Sequence, residues 1–242
     1  MKFEGITFDL WYTLIYETEE EEKKYLSMRI KAIEKGLEEL GISVDENALT
    51  KSFLHLGKFS LSIRFDRFIK LIISSLGLSL SAKDIETIGR IYLSEIEKYS
   101  FKLGPSVPDI LSELKKIGMK IAIISNTSIP EVVLWKILDK PGISQYVDAI
   151  ISSSDLEVEK PNPLIFEIAQ KKLGVDASRA LHIGDSCIED YLGALSAGQR
   201  AALYTGLYIH RREKIPHELC LMNRTPVIER LTVEDIFLNN GL

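Results

Sequence analysis

The chain has 242 residues, of which 45% are hydrophobic and 27% charged, a balance that excludes disorder and suits one large domain or a core with a smaller companion. Its net charge of -5 supplies no basic field for nucleic acid, and no apolar run is long enough to span a bilayer. No signal peptide is visible, and two cysteines, Cys187 and Cys220, stand at no metal-ligand spacing, so the expectation is a cytoplasmic protein with reduced thiols.

Gly5 to Leu10 reads as a short buried strand that delivers a lone carboxylate, Asp9. From about Glu19 to Ser100 the pattern is helical. Tyr25, Leu26, Met28, Ile30, Ile33, Leu37 and Leu40 recur at helical spacing, and Gly41 supplies a stop. The acidic run Glu19 to Glu22, with Glu17 just before it, suits a helix N-terminus. Asp45 can cap a second helix and Phe65 to Leu76 fits a third. Ser81 with Asp84 approximates the capping box of a fourth, which runs toward Tyr99. After Gly104-Pro105-Ser106 the rhythm becomes an alternation. Helices at Ile110–Ile117, Pro130–Leu138, Leu164–Leu173 and Ile188–Ser196 are interleaved with strands at Ile121–Ile124, Ala149–Ser152, Ala180–Ile183 and Ala201–Tyr204. That alternation predicts an α/β fold, a doubly wound parallel sheet with helices on both faces. The strand-free stretch, residues 17–100, predicts a smaller all-helical unit inserted after the first strand of a core made of residues 1–16 and 101–242.

Four segments place polar residues at or beyond the C-terminal ends of these strands: Asp9; Ser125-Asn126; Lys160; and Gly184-Asp185 with Asp190. In an open parallel sheet those ends converge on the ligand crevice. A carboxylate there can attack phosphorus or an activated carbon, and a preorganised hydroxyl can stabilise developing charge. Taken singly, each has a bland role: Asp9, Ser125 and Asn126 as caps, Lys160 as a solvated loop residue. In this order, they resemble the four motifs of the haloacid dehalogenase-like (HAD) superfamily, a Rossmann-like core whose helical cap falls where the inserted helices stand. The resemblance implies that Asp9 is the nucleophile, oriented by Thr13. It implies that Ser125 and Asn126 bind the transferred group and that Lys160 holds nucleophile and substrate anion together. It further implies Mg2+ bound by Asp9, Asp185 and the backbone carbonyl of Trp11, with Asp190 orienting bound water or Lys160. One or two carboxylates suffice for that ion.

The sequence departs from the family pattern at two places. Trp11 stands where most phosphatase members carry a second Asp, which protonates the leaving oxygen and then activates water. Indole offers no titratable base, and losing a general acid–base typically costs roughly 10²- to 10⁴-fold. Glu157 replaces the Gly usual three positions before Lys160. Dehalogenases also lack the second Asp, but generally lack the Gly-Asp pair that is kept here as Gly184-Asp185. The first reading is therefore magnesium-dependent hydrolysis of a small phosphorylated metabolite through an aspartyl-phosphate intermediate. The second is 2-haloacid dehalogenation, and the third a ligand-binding member without turnover. Cys187 is read as packing, the histidines (His55, His182, His210, His217) as scattered, and Arg211, Arg212 and Lys214 as a solvated loop.

Overall fold

The computed structural model describes residues 3–210, Cys220 and residues 225–237; Arg211, Arg212, Lys214 and His217 lie outside the described residues. Strand β1 (Gly5–Phe8) is buried along its whole length and sits inside a six-stranded sheet of order β5-β4-β1-β6-β7-β8. The others are β4 (Lys120–Ser125), β5 (Ala149–Ser152), β6 (Ala180–Gly184), β7 (Arg200–Tyr204) and β8 (Val227–Ile228). Every pairing is parallel, with Ile6 opposite Ile121 on one side and Leu181 on the other. The chain fills one half of the sheet from β1 through β4 to β5, then the other through β6 to β8. The strand ends around β1 therefore open a crevice, the usual place for a ligand in such sheets.

Alternation along β4 shows how the layers form. Ile121 and Ile123 pack with Ile110, Leu111 and Leu114 of α5 (Val107–Lys116), while Ala122 and Ile124 pack with Ile165, Phe166 and Ala169 of α8 (Pro163–Leu173). Successive side chains point to opposite faces, so a run of four apolar positions feeds two cores. Helices α6 (Glu131–Asp139), α7 (Ser153–Leu156) and α9 (Gly193–Ser196) complete the alternating half.

Between β1 and α5 stand four helices and no strand of the main sheet: α1 (Glu19–Glu39), α2 (Glu46–Leu56), α3 (Phe65–Ser75) and α4 (Ala82–Lys98). Their ends follow the sequence signals. Thr18 and Glu21 form a reciprocal capping box, as do Ser81 and Asp84, and Asp45 accepts from Ala48 N–H. Two short strands, β2 (Ile15–Tyr16) and β3 (Lys102–Leu103), pair antiparallel at the foot of the helices and were not foreseen.

Two other expectations need correction. The helix expected over Ile188–Ser196 begins as a π-helical turn, Cys187–Leu192, before α9. The wider turn serves the site described below, a common setting for this geometry. Cys187 and Cys220 are joined by a disulfide, with Cα atoms 6.0 Å apart, and are not reduced thiols. A separation of 33 residues gave no sign of their meeting; the turn after β6 and the segment after β7 bring them together beside Leu203. Among the described residues no helix is long and apolar enough to cross a membrane.

Candidate active site

Asp9 leaves β1 with its N–H bonded to the Ile183 carbonyl at 2.9 Å, which fixes the turn that follows. Leu14 and Ile15 N–H close that turn onto the Leu10 carbonyl, and Tyr12 takes a left-handed φ of 58° at its tip. The Asp9 carboxyl is buried. Its Oδ1 accepts from Lys160 Nζ at 2.6 Å, whereas its Oδ2 has no hydrogen-bond partner. Lys160 is 2% exposed and also donates to Asp190 Oδ1 at 2.5 Å. The second Asp190 oxygen accepts the Ser186 N–H at 2.8 Å, so the π-helical turn grips the residue it carries. Gly184 leaves the room: a Cβ there would fall 2.2 Å from Asp190 Cγ.

Behind this pair runs a buried polar chain absent from the sequence reading. His182 Nε2 donates to Asp190 at 3.1 Å and Nδ1 accepts the Thr7 hydroxyl at 2.8 Å; Thr7 in turn lies 3.4 Å from Gln199 Oε1. Burial lowers the His182 pKa, so the ring is neutral and this tautomer follows. The signal was present in β6, a strand buried along its whole length in which His182 is the one titratable residue.

Electrostatics divides the carboxyls. Burial lifts Asp9 to about 7, with the Lys160 charge pulling down and Asp190 pushing up. For Asp190 burial acts in the same upward direction, but Lys160 and His182 overcome it and hold the group well below the usual carboxylate range. Burial would discharge Lys160, yet Asp190 and Asp9 keep it above the ordinary lysine value. Asp185 lies beside them, its backbone carbonyl accepting from Tyr208 OH at 2.8 Å. One carboxyl oxygen from each of Asp9, Asp185 and Asp190 falls within 4.8 Å of the other two. Three buried acids around one lysine leave a negative excess, and Asp9 Oδ2 is an orphaned buried oxygen. A small hard cation fits that donor set.

Ser125 ends β4 fully buried with a hydroxyl that has no partner, and Thr13, also fully buried, is in the same condition. Asn126 is differently placed. Its Nδ2 donates to the Lys160 carbonyl at 3.0 Å and to Glu189 at 3.1 Å, and its Oδ1 accepts the Lys160 N–H at 2.8 Å. Its side chain thus braces the lysine loop, and both amide protons are spent within the protein. Glu157 has a φ of 55°, which explains why a Gly suits this position. Its carboxylate receives Arg67 of α3 at 2.7 and 2.8 Å, linking the inserted helices to the lysine loop.

Trp11 follows Asp9 in the same turn. Its indole meets the Phe101 ring edge-on at 4.7 Å and the Tyr25 ring at 6.5 Å. A cavity of about 280 Å³ opens beside it, lined among others by Glu17, Tyr25, Arg29, Asn126 and Ser128. A larger cavity of about 880 Å³ lies between α3, α4 and α6; Arg67 lines it, but none of Asp9, Ser125, Lys160, Asp185 and Asp190 does.

Fold and site together define a doubly wound α/β hydrolase built around a buried carboxylate cluster. The model of the haloacid dehalogenase-like hydrolases matches residues 3–198, and the chain belongs to that family. It is 34% identical over 116 residues to glyceraldehyde 3-phosphate phosphatase of Methanothermobacter thermautotrophicus, covering 48% of this chain and 50% of that protein. The chain thus spans about half the length of that relative. To phosphoglycolate phosphatase of Yersinia pestis it is 29% identical over 194 residues, 80% of this chain and 77% of the other. A 2-haloacid dehalogenase structure from Pseudomonas syringae shares the fold with a TM-score of 0.64 at 22% identity, over 95% of each chain.

Proposed function

We propose that this chain is a magnesium-dependent phosphatase acting on a small phosphorylated metabolite. The observation that carries this reading is the cluster of Asp9, Asp185 and Asp190 with an unpaired Asp9 Oδ2. Displacement of halide from a haloacid needs no such cation, whereas an anionic nucleophile approaching an anionic phosphate does. Asp9, Asp185 and the Trp11 carbonyl would hold the ion, which when bound neutralises charge on the transferred group.

Asp9 attacks phosphorus and forms an aspartyl phosphate, which water then hydrolyses. Lys160 keeps the attacking carboxylate oriented through its 2.6 Å contact, and Asp190 anchors that lysine from the other side. The free Ser125 hydroxyl is a donor for phosphoryl oxygens in a site where water cannot reorganise. Residues 17–100 act as the cap, joined to the core near β2 and β3 and by the Arg67–Glu157 pair.

Phosphate release from a panel of small phosphate esters, with and without magnesium, tests the proposal. Metal-dependent release that vanishes in Asp9→Asn is the result expected. Chloride release from 2-haloacids without metal, and no phosphate release, favours the dehalogenase reading that Trp11 leaves open.

A further inference from the structure

Trp11 leaves the reaction without the acid that most phosphatases of the family place there, and a second carboxyl stands in the same cavity. Glu17 follows β2 and precedes the Thr18 cap of α1, so the pairing of β2 with β3 sets its position. It is 6% exposed, and its Oε1 has no hydrogen-bond partner. It shares the cavity wall with Trp11 and Tyr12 from the Asp9 turn, and with Asn126 and Thr127 from the loop after Ser125. The Tyr25 hydroxyl in that wall is likewise buried and unpaired. Two orphaned polar atoms thus belong to residues lining one cavity, beside the Asp9 turn and the loop after Ser125, and the protein supplies neither with a partner.

We propose that Glu17 is the general acid that protonates the leaving-group oxygen, in place of the carboxylate missing at Trp11. This rests on the phosphatase reading above. As Asp9 forms its bond to phosphorus, the P–O ester bond breaks and its electron pair goes to the leaving oxygen, which takes the Glu17 proton. In the second step water attacks the phosphorus of the aspartyl phosphate, the Glu17 carboxylate takes the water's proton, and Asp9 is released. The sum is ester plus water giving alcohol plus phosphate, with Glu17 again protonated.

The surroundings suit a proton donor. Burial raises Glu17 to about 7; the Tyr99 hydroxyl beside it and the Arg29 charge pull down, while Glu22 and Glu21 push up. These neighbours come from α1 and from the segment after α4, and Tyr25 of α1 faces the same carboxyl. No cation lies within ion-pair distance of Glu17 among the described residues, although Arg29 bonds Tyr92 and Ser128 close by. A general acid is most effective with a pKa near the working pH. Burial takes the Tyr25 hydroxyl upward, above the ordinary tyrosine value, which makes it a poor donor by comparison.

The test compares wild type with Glu17→Gln on alkyl phosphates and on p-nitrophenyl phosphate, at saturating magnesium. Aryl leaving groups depart without a proton and alkoxides do not. The expected result is a rise of about 10²- to 10⁴-fold in the aryl-to-alkyl ratio of kcat/KM, which reports formation of the aspartyl phosphate and not its hydrolysis, a step both ester classes share. In the wild type, alkyl-ester kcat/KM should fall as pH rises through about 7. That limb should vanish in the Gln variant. An equal loss of kcat/KM on both ester classes, or a pH limb that persists in Glu17→Gln, overturns the assignment while leaving the phosphatase reading intact. A wild type that releases halide but hydrolyses no phosphate overturns both.

Discussion

Replacing Lys160 by Met removes the one cation between two buried carboxylates. Lys160 is 2% exposed, and its Nζ lies 2.6 Å from Asp9 and 2.5 Å from Asp190. Deleting one partner of a buried ion pair costs about 3–5 kcal/mol, because the remaining charge is left uncompensated. For a chain of this size each kcal/mol moves the Tm by about 2–4 °C, so a fall of roughly 6–20 °C is expected. The sign of the pH dependence can be worked out. In the wild type Asp190 is held below its unfolded pKa, so its contribution is present above that pKa and is lost as pH falls through the folded value. In Lys160→Met both acids bind protons more tightly folded than unfolded, and stability is lost as pH rises from the unfolded carboxylate range. The deficit should therefore be largest at pH 8 and smaller at pH 5. Calorimetry of both proteins in EDTA at the two pH values measures it. A Tm difference near zero at pH 8, or an equal one at pH 5, would refute the account of Lys160 as an obligatory counter-charge.

Asp9→Asn should give no phosphate release above background, since the amide cannot attack phosphorus; a stopped-time phosphate assay with detectable turnover would reject Asp9 as nucleophile. Asp185→Asn should weaken magnesium binding by about tenfold or more in a direct calorimetric titration, and an unchanged Kd would place the ion elsewhere. Removing the disulfide with Cys187→Ser and Cys220→Ser together should cost about 3 kcal/mol, or roughly 6–12 °C in Tm, through release of chain entropy in the unfolded state. A melting curve that coincides with wild type would show that the bridge contributes no stability.

The sequence was legible where a local rule had a local cause. Asp45, Ser81 and Asp84 cap their helices because each cap needs only residues within one turn. The buried runs that became β1, β4, β5, β6 and β7 were visible because strands covered on both faces are continuously apolar. What escaped depends on partners distant in the chain. Ile15–Tyr16 and Lys102–Leu103 are too short to show a period of two, and each exists as a strand only through the other. Asn126 reads as a donor for a ligand until the Lys160 backbone arrives to occupy its amide. Glu17 looked like one more member of the acidic run at the start of α1. The structure separates it from that run: Glu19 and Glu20 bond Lys23 and Lys24 in solvent, while Glu17 turns into the cavity wall.

That separation gives two carboxyls raised to the same level, about 7, for opposite uses. Desolvation is the leading cause in both, so burial alone cannot distinguish a nucleophile from an acid. Their neighbours do. Asp9 has Lys160 at 2.6 Å, a charge-assisted bond that rewards the anion. Glu17 has a tyrosine hydroxyl and a nearby arginine but no ion pair, so nothing comparable rewards its ionised form. Trp11 and Tyr25 line that cavity, with the Phe101 ring against both and the Tyr99 ring against Tyr25, and these rings bring no base to compete for the proton. An Asp in place of Trp11 would add a second carboxyl to the wall of the same cavity, and like charge there would raise Glu17 further. Keeping an indole at that position and a buried Glu on the adjoining strand end is thus a self-consistent division of labour: the loop supplies an apolar wall, and the acid comes from the other side of the cavity.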